Sequence, residues 1–328
     1  MDWEKLIDIL DGHEVYLQMH NFPDPDAVAS AYGMQKFLGA HGIETHICYD
    51  GRLSSLAAKK MIERFHMEVI FARNLVSMQY DDYIVVIDGQ KYNANFTDLI
   101  GDEVACIDHH PTFVECEYRY SDIRITGACA SIVANYFYES GTQMDEDTAL
   151  ALMFGIRVDT DCLSRGVTKL DLDMYNYLFQ YADADKLQEM SVNAIEIADL
   201  KAYAAAIKKM DIEGDISFVH IPFECGDSLI GMISDFIMSV NEVNTSVIYA
   251  ERNGGYKLSV RTIRNDIHAG ELISKALSGI GSGGGHQKMA GGVVYPEMAE
   301  GLSDAADTII KRRFLKVIEN QQCCVTVS

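Results

Sequence analysis

The chain has 328 residues, 48% of them hydrophobic, and a formal charge of −22 from 49 Asp and Glu against 27 Lys and Arg. That length exceeds what one compact core usually holds, so two domains are expected. The acidity argues against a general electrostatic grip on long nucleic acid, which works by neutralising many phosphates, so an anionic substrate is expected to be held locally.

The opening Met1-Asp2-Trp3-Glu4 has neither the basic flank nor the apolar run of an export signal. Short apolar strands are predicted at 14–19, 43–49, 83–87 and 103–107, alternating with helices at 27–38, 127–139 and 147–157. Such alternation is the pattern of a parallel, doubly wound α/β sheet covered by helices on both faces. The longest uncharged run, 125–138, contains Asn135 and falls short of the roughly 18 residues of a membrane span. Residues 170–210 look helical nearly throughout, and their last part reads as a connector. From Asp211 the texture changes to a strand, a helix near 227–240, a hairpin around Asn253-Gly254-Gly255, another helix and a glycine run at 281–285 expected as a loop. This is a second, smaller α/β domain, and the expected division is 1–190, 191–210 and 211–328. The eight cysteines form no Cys-x-x-Cys pair and read as reduced thiols of a cytoplasmic protein with no membrane partner; Cys323 and Cys324 have no role that can be argued.

Chemistry concentrates where strands end. The run His20-Asn-Phe-Pro-Asp24-Pro-Asp26 follows the first strand and leads into a helix. In open α/β sheets ligands bind beyond the carboxyl ends of strands. Taken alone, Asp24 and Asp26 are equally well explained as helix caps. The placement recurs, however, with Asp88 after the strand at 83–87 and Asp108-His109-His110 after the one at 103–107, while Asp159 comes just past a helix. Carboxylates gathered in one cleft repel, so the cluster makes sense with cations in it. Carboxylates with a few imidazoles and no thiolate favour Mn²⁺ or Mg²⁺ over a structural Zn²⁺ site.

These residues resemble the DHH phosphoesterase family, whose name comes from the Asp-His-His signature seen here at 108–110. The resemblance implies one metal held by His20, Asp24 and Asp88 and a second held by Asp26, Asp88, His109 and Asp159, with Asp88 as the bridge. It also implies that His110 faces the phosphate as hydrogen-bond donor or proton source, beside the catalytic Asp88, while Asp108 supports the histidines. Two divalent ions follow, Mn²⁺ first and Mg²⁺ as the alternative.

Further on, Gly281-Ser-Gly283-Gly284-Gly285-His286 is similar to the Gly-Gly-Gly-His motif of the DHH-associated C-terminal domain, and Ser259-Val-Arg261 fits the strand that carries its arginine. Substrate contacts are therefore expected from Gly283, Gly284, Gly285, His286 and Arg261, more weakly from Arg264, with the active site in the cleft between the domains. Short family members with this second domain are oligoribonucleases acting on very short RNA or phosphatases of 3′-phosphoadenosine 5′-phosphate (pAp); others hydrolyse cyclic di-AMP or its linear product pApA. Family pyrophosphatases carry a different second domain, and RecJ-type exonucleases are larger. A catalytically inactive nucleotide-binding regulator would lack a ligand, and none is missing. The expected function is hydrolysis of short oligoribonucleotides or pAp, with cyclic di-AMP or pApA as the alternative and a pyrophosphatase or polyphosphatase ranked below both. A small nucleotide is the expected partner, with no long nucleic acid; family members are often homodimers. Two departures stand out: Met289-Ala290-Gly291 replaces Ala-Ala-Gly, and Asp161-Cys-Leu-Ser-Arg165-Gly replaces a Gly-x-Phe-Arg-type run, leaving Arg165 as a further substrate candidate. The remaining histidines, at 13, 41, 46, 66, 220 and 268, read as ordinary structural or surface residues.

Overall fold

Residues 2–191, 195–302 and 305–325 are described by the computed structural model, which divides into two units, Met1–Ala194 and Ile195–Ser328. The first contains α1 (Trp3–Leu10), β1 (Val15–Met19), α2 (Pro25–Ala40), β2 (Thr45–Tyr49), α3 (Leu56–Arg64), β3 (Val69–Phe71), β4 (Tyr83–Ile87), β5 (Asp102–Asp108), β6 (Tyr120–Ile123), α4 (Cys129–Ser140), α5 (Glu146–Asp159), α6 (Lys169–Leu178) and α7 (Ala184–Ser191). Its six strands are parallel in the order β3-β2-β1-β4-β5-β6. That is a doubly wound order, with its switch point between β1 and β4. The edge strands β3 and β6 were missed in the sequence because three and four residues are too few to display a period.

The two faces of this sheet are covered differently. Leu17, Met19, Val85, Ile87, Ala105 and Ile107 share one core with buried residues from every helix of the unit. Tyr16, Ile84, Val86 and Cys106 face the other way, against Met78 and Phe96, with Leu75, Leu99 and Tyr118 packed beside them. Helices on both faces were expected, but the second face is closed by the connections after β3, β4 and β5. Runs such as Asn93-Ala-Asn-Phe-Thr-Asp98 explain this, because Asn, Asp and Thr side chains compete for backbone groups and disfavour helix.

The second unit contains α8 (Leu200–Lys209), β7 (Asp211–Glu213), β8 (Ile216–Glu224), α9 (Asp227–Met238), β9 (Thr245–Arg252), β10 (Gly255–Thr262), α10 (Ala269–Leu277), β11 (Gly281–Gly285), β12 (Met289–Val294), α11 (Pro296–Leu302) and α12 (Ala306–Val325). Its sheet runs β11-β12-β10-β9-β8-β7, with β8 and β9 parallel and the other pairs antiparallel. Two expectations are corrected here. The helix read as part of a connector is α8, which buries Ala202 and Ala206 against Val219, Ile221 and Ile230 and so belongs to this unit's core; residues 192–194 of that connector lie outside the described residues. The glycine run is the edge strand β11, with Gly283 opposite Gly292 and Gly284 opposite Gly291. Glycine is a poor strand former, yet it serves where another chain segment must come close. A side chain on Gly292 would meet Leu277 and Ile273 of α10 within 2.8 Å. No helix among the described residues is long and apolar enough to cross a membrane.

Candidate metal centre

At the switch point of the first sheet, chain direction delivers the charged residues to one end. His20 follows β1, Asp88 follows β4, and Asp108 ends β5 with His109 and His110 behind it. Asp24 is the N-cap of α2, accepting the N–H groups of Asp26 (2.9 Å) and Ala27 (3.1 Å). Asp159 is the last residue of α5 rather than lying beyond it. Asp88 has φ of 56°, a left-handed conformation that Asp tolerates better than most residues but that still costs energy, and such strain gathers at functional sites.

Three overlapping donor groups result, each with ligand atoms within 4.8 Å of one another: His20, Asp24 and Asp88; Asp26, His109 and Asp159; and Asp88, His109 and His110. The first matches one expected ligand set, the second matches the other without its bridge, and the third joins Asp88 to His109. His109 Nε2 lies 3.3 Å from Asp88, 3.4 Å from Asp159 and 3.9 Å from Asp26, and His20 Nε2 lies 3.7 Å from Asp88. Asp26, almost wholly buried, also accepts the N–H groups of Cys129 (2.7 Å) and Ala130 (2.9 Å) at the start of α4. It is thus a helix-terminus acceptor as well as a candidate ligand, so the capping and ligand readings hold together.

The protonation balance shows the strain of assembling these charges without a cation. Burial, with Asp88 and Asp159 nearby, holds Asp26 well above the ordinary carboxylate range. Burial and the neighbouring Asp24 and Asp88 push Asp159 up to about 7 against the pull of His109. Asp88 goes the other way: burial opposes its charge, but the imidazoles of His109, His110 and His20 outweigh burial and hold it ionised. His109 is raised well above the usual histidine value because Asp88, Asp26 and Asp159 overcome its desolvation. Protons occupy positions that the carboxylates would otherwise have to share as bare charge.

A divalent ion fits this donor set. Asp88 Oδ1 is buried, has no backbone or hydroxyl donor and sits beside the imidazoles of His109 (3.3 Å) and His110 (3.8 Å), so its charge depends on a positive partner. The Thr126 carbonyl lies 3.0 Å from His109 Nδ1, which keeps a proton there and turns Nε2 toward the carboxylates. Once Nε2 gives up its proton, its lone pair and Asp88 Oδ1 face each other across 3.3 Å, a gap that suits a cation. At His20 the Phe22 N–H points to Nδ1 at 3.2 Å, a contact that must yield if Nε2 takes the metal. His110 stands apart in its wiring: Nδ1 is 2.9 Å from Asp108 Oδ1, and Gln90 donates to Asp108 Oδ2 (2.6 Å) and to the His110 carbonyl (3.0 Å). Despite its burial, the bond to Asp108 raises its proton affinity. Gln90 carried no signal in the sequence beyond its nearness to Asp88.

The remaining substrate candidates separate. Arg165 contacts the Asp159 carbonyl at 3.3 Å, at the rim of the metal centre. In the second unit, Arg261, Gly285 and His286 line a cavity of about 250 Å³, together with Lys257, Ser259 and Asp227. Gly283 and Gly284 are not in its wall; they lie in β11. Gly285 has φ of 150°, and a Cβ there would meet the backbone of Ala290 at 2.6 Å. Lys257, Ser259 and Arg261 alternate along β10 and therefore share a face, so extending the period-two reading from Ser259-Val-Arg261 would have found Lys257. Arg261 is held by Asp235 (3.0 Å) and Lys257 lies 3.4 Å from Asp227, so carboxylates of α9 steady both cations. Arg264 pairs with Asp215 and Asp266 and is not in the cavity wall.

The DHH family, N-terminal domain, matches residues 14–156, and the DHHA1 domain matches residues 215–312. An uncharacterized protein of Methanocaldococcus jannaschii is 27% identical over 309 residues, covering 91% of this chain and 63% of that one. The cyclic-di-AMP phosphodiesterase GdpP of Geobacillus thermodenitrificans is 23% identical over 85% of this chain and 44% of its own length. A manganese-dependent inorganic pyrophosphatase of Methanocaldococcus jannaschii is 23% identical over 76% of this chain and 79% of that one. This chain therefore spans less than two thirds of the first two relatives. Among solved structures, an exopolyphosphatase-related protein from Bacteroides fragilis has the same fold, with a TM-score of 0.73 at 15% identity over 98% of this chain and 96% of that one.

Proposed function

This chain belongs to the DHH phosphoesterase family, and from that premise we propose that it is a two-metal hydrolase of short oligoribonucleotides or pAp, using Mn²⁺. The observation that carries the reading is Asp88: a buried carboxylate, common to two of the three donor groups, whose Oδ1 sits beside the imidazoles of His109 (3.3 Å) and His110 (3.8 Å). His20, Asp24 and Asp88 would hold one ion, and Asp26, Asp88, His109 and Asp159 the other. When bound, the ions neutralise the carboxylates, polarise the phosphoryl group and make a water more acidic. His110, anchored by Asp108 with Nδ1 as the donor, presents Nε2 to the phosphate and holds a proton for the leaving oxygen. Arg261 and His286, in the second unit's cavity, would bind a phosphate by charge-assisted hydrogen bonds. The manganese-dependent relative supports the choice of metal.

A second reading, hydrolysis of cyclic di-AMP or pApA, is favoured by the activity for which the Geobacillus relative is named. A panel of pAp, pApA, cyclic di-AMP, pyrophosphate and 5′-labelled RNA from two to about 20 nucleotides, assayed with Mn²⁺, separates these readings. With a chain charge of −22, longer RNA gains few phosphate contacts, so kcat/KM should peak at about two to five nucleotides or on pAp. Undiminished efficiency on the longest RNA would overturn the short-substrate reading, and exclusive turnover of pyrophosphate would replace it.

A further inference from the structure

Asp171 is fully buried and belongs to no donor group at the metal centre. It sits in the first turn of α6, where a carboxylate reaching back to the Thr168 N–H (2.7 Å) would ordinarily be read as a helix cap. Its other partners exceed that role. It also accepts from the Gly127 N–H (2.8 Å) and from the hydroxyls of Ser131 (2.6 Å), Thr126 (2.9 Å) and Thr168 (2.8 Å). Burial opposes its charge, but these donors outweigh burial and keep it ionised. The Gly127 N–H belongs to the same peptide group as the Thr126 carbonyl, and that carbonyl is the acceptor for His109 Nδ1 at 3.0 Å. Position 127 admits only glycine, since a Cβ would lie 2.6 Å from Thr160 and 2.8 Å from the Asp171 carboxylate.

We propose that Asp171 is a positioning residue for His109, acting through the Thr126–Gly127 peptide group. Its carboxylate takes the peptide N–H, the peptide carbonyl takes the His109 Nδ1 proton, and Nε2 is left as the nitrogen that would give up its proton to take a metal. A carboxylate on the N–H side draws negative charge onto the carbonyl oxygen, because hydrogen bonds in a chain polarise one another. The carbonyl becomes a better acceptor, the imidazole tautomer is fixed, and Nε2 becomes a stronger donor to a cation. Metal-ligating histidines commonly hand their second N–H to a carboxylate or a carbonyl; here both are used in series. The inference rests on the metal reading of this site.

The test compares Asp171→Asn with Ser131→Ala in the full chain. Asn keeps the shape, and the Thr126 and Ser131 hydroxyls are free to turn and accept from its amide, so the charge is removed with little change in volume. Ser131→Ala deletes one Asp171 donor but leaves the peptide link intact. Asp171→Asn should weaken Mn²⁺ binding, measured calorimetrically, by about 10- to 100-fold. Ser131→Ala should change it by less than about threefold while still lowering the melting temperature. In the unsubstituted chain, metal-free or loaded with Mg²⁺, the His109 Nδ1–H should give a downfield, exchange-protected NMR resonance, and it should lose protection in Asp171→Asn. Unchanged metal affinity in Asp171→Asn would reduce Asp171 to a helix cap. If that variant does not fold, finding His109 Nδ1 without a proton in the unsubstituted chain would overturn the proposal equally. Failure of the unsubstituted chain to bind Mn²⁺ would instead overturn the metal reading, and the tautomer measurement would still decide the wiring.

Discussion

Loading the metal centre should expel protons, and its apparent affinity should therefore rise with pH. With Asp159 pushed up to about 7, its carboxyl is about nine-tenths protonated at pH 6 and about one-tenth at pH 8. A cation needs it ionised, so Asp159 alone makes the apparent Kd about tenfold weaker at pH 6 than at pH 8, or ~1.4 kcal/mol. Asp26 and His109, both raised, act in the same direction. The metal-free chain should show the complementary trend in stability. Folded Asp159 holds a proton that the unfolded chain releases near its ordinary pKa of about 4. Its stabilising effect is therefore full below that pH and is lost as pH rises through about 7, by at most about 4 kcal/mol. Asp88, shifted downward, contributes stability that is lost only in strong acid, outside this window. Titration calorimetry with Mn²⁺ at pH 6, 7 and 8, in buffers of different ionisation enthalpy, counts the protons. About one or more per chain should appear at pH 6 and fewer at pH 8. Melting temperatures in EDTA should fall from pH 5 to pH 8, and Mn²⁺ should abolish the fall. Equal affinity at pH 6 and pH 8 with no proton release would refute the clustering of ionisable ligands.

Asp88→Asn keeps a residue type that tolerates positive φ but removes the shared ligand. It should lower kcat by about 10³-fold or more and abolish the Mn²⁺-dependent rise in melting temperature, which in the parent at 100 times Kd amounts to ~2.7 kcal/mol; thermal melts with and without Mn²⁺ check this. His286→Ala leaves the backbone bond from His286 N to the Met289 carbonyl in place, so the fold should persist. It should reduce kcat/KM about 10- to 100-fold through KM if a charge-assisted phosphate contact is lost, and an unchanged KM on every nucleotide would leave the cavity without a role.

Much of the metal centre could be read along the chain because each group sits next to a locally recognisable element. His20, Asp88 and Asp108 follow or end apolar runs whose strand character needs no tertiary information, and Asp24 precedes a helix that begins with proline. The short edge strands, the glycine strand β11 and the second face of the sheet, covered by connections, could not be read this way. A three-residue strand shows no period, a run of glycines carries no side chain to display one, and a connection that covers a sheet looks like any other loop.

The sequence by itself determined which residue types arrive at the carboxyl ends of the strands, because alternation of apolar and polar residues is a property of neighbours. Only the tertiary structure decided how those residues are wired. Asp26 caps α4 from 103 and 104 residues away in the chain, and Asp171 reaches the Thr126–Gly127 peptide from 44 residues beyond it. Hydrogen bonds of that kind join groups whose only relation is that packing α2, α4 and α6 into one core brings them within 3 Å. A buried carboxylate is ionised or protonated according to those partners rather than its neighbours in sequence.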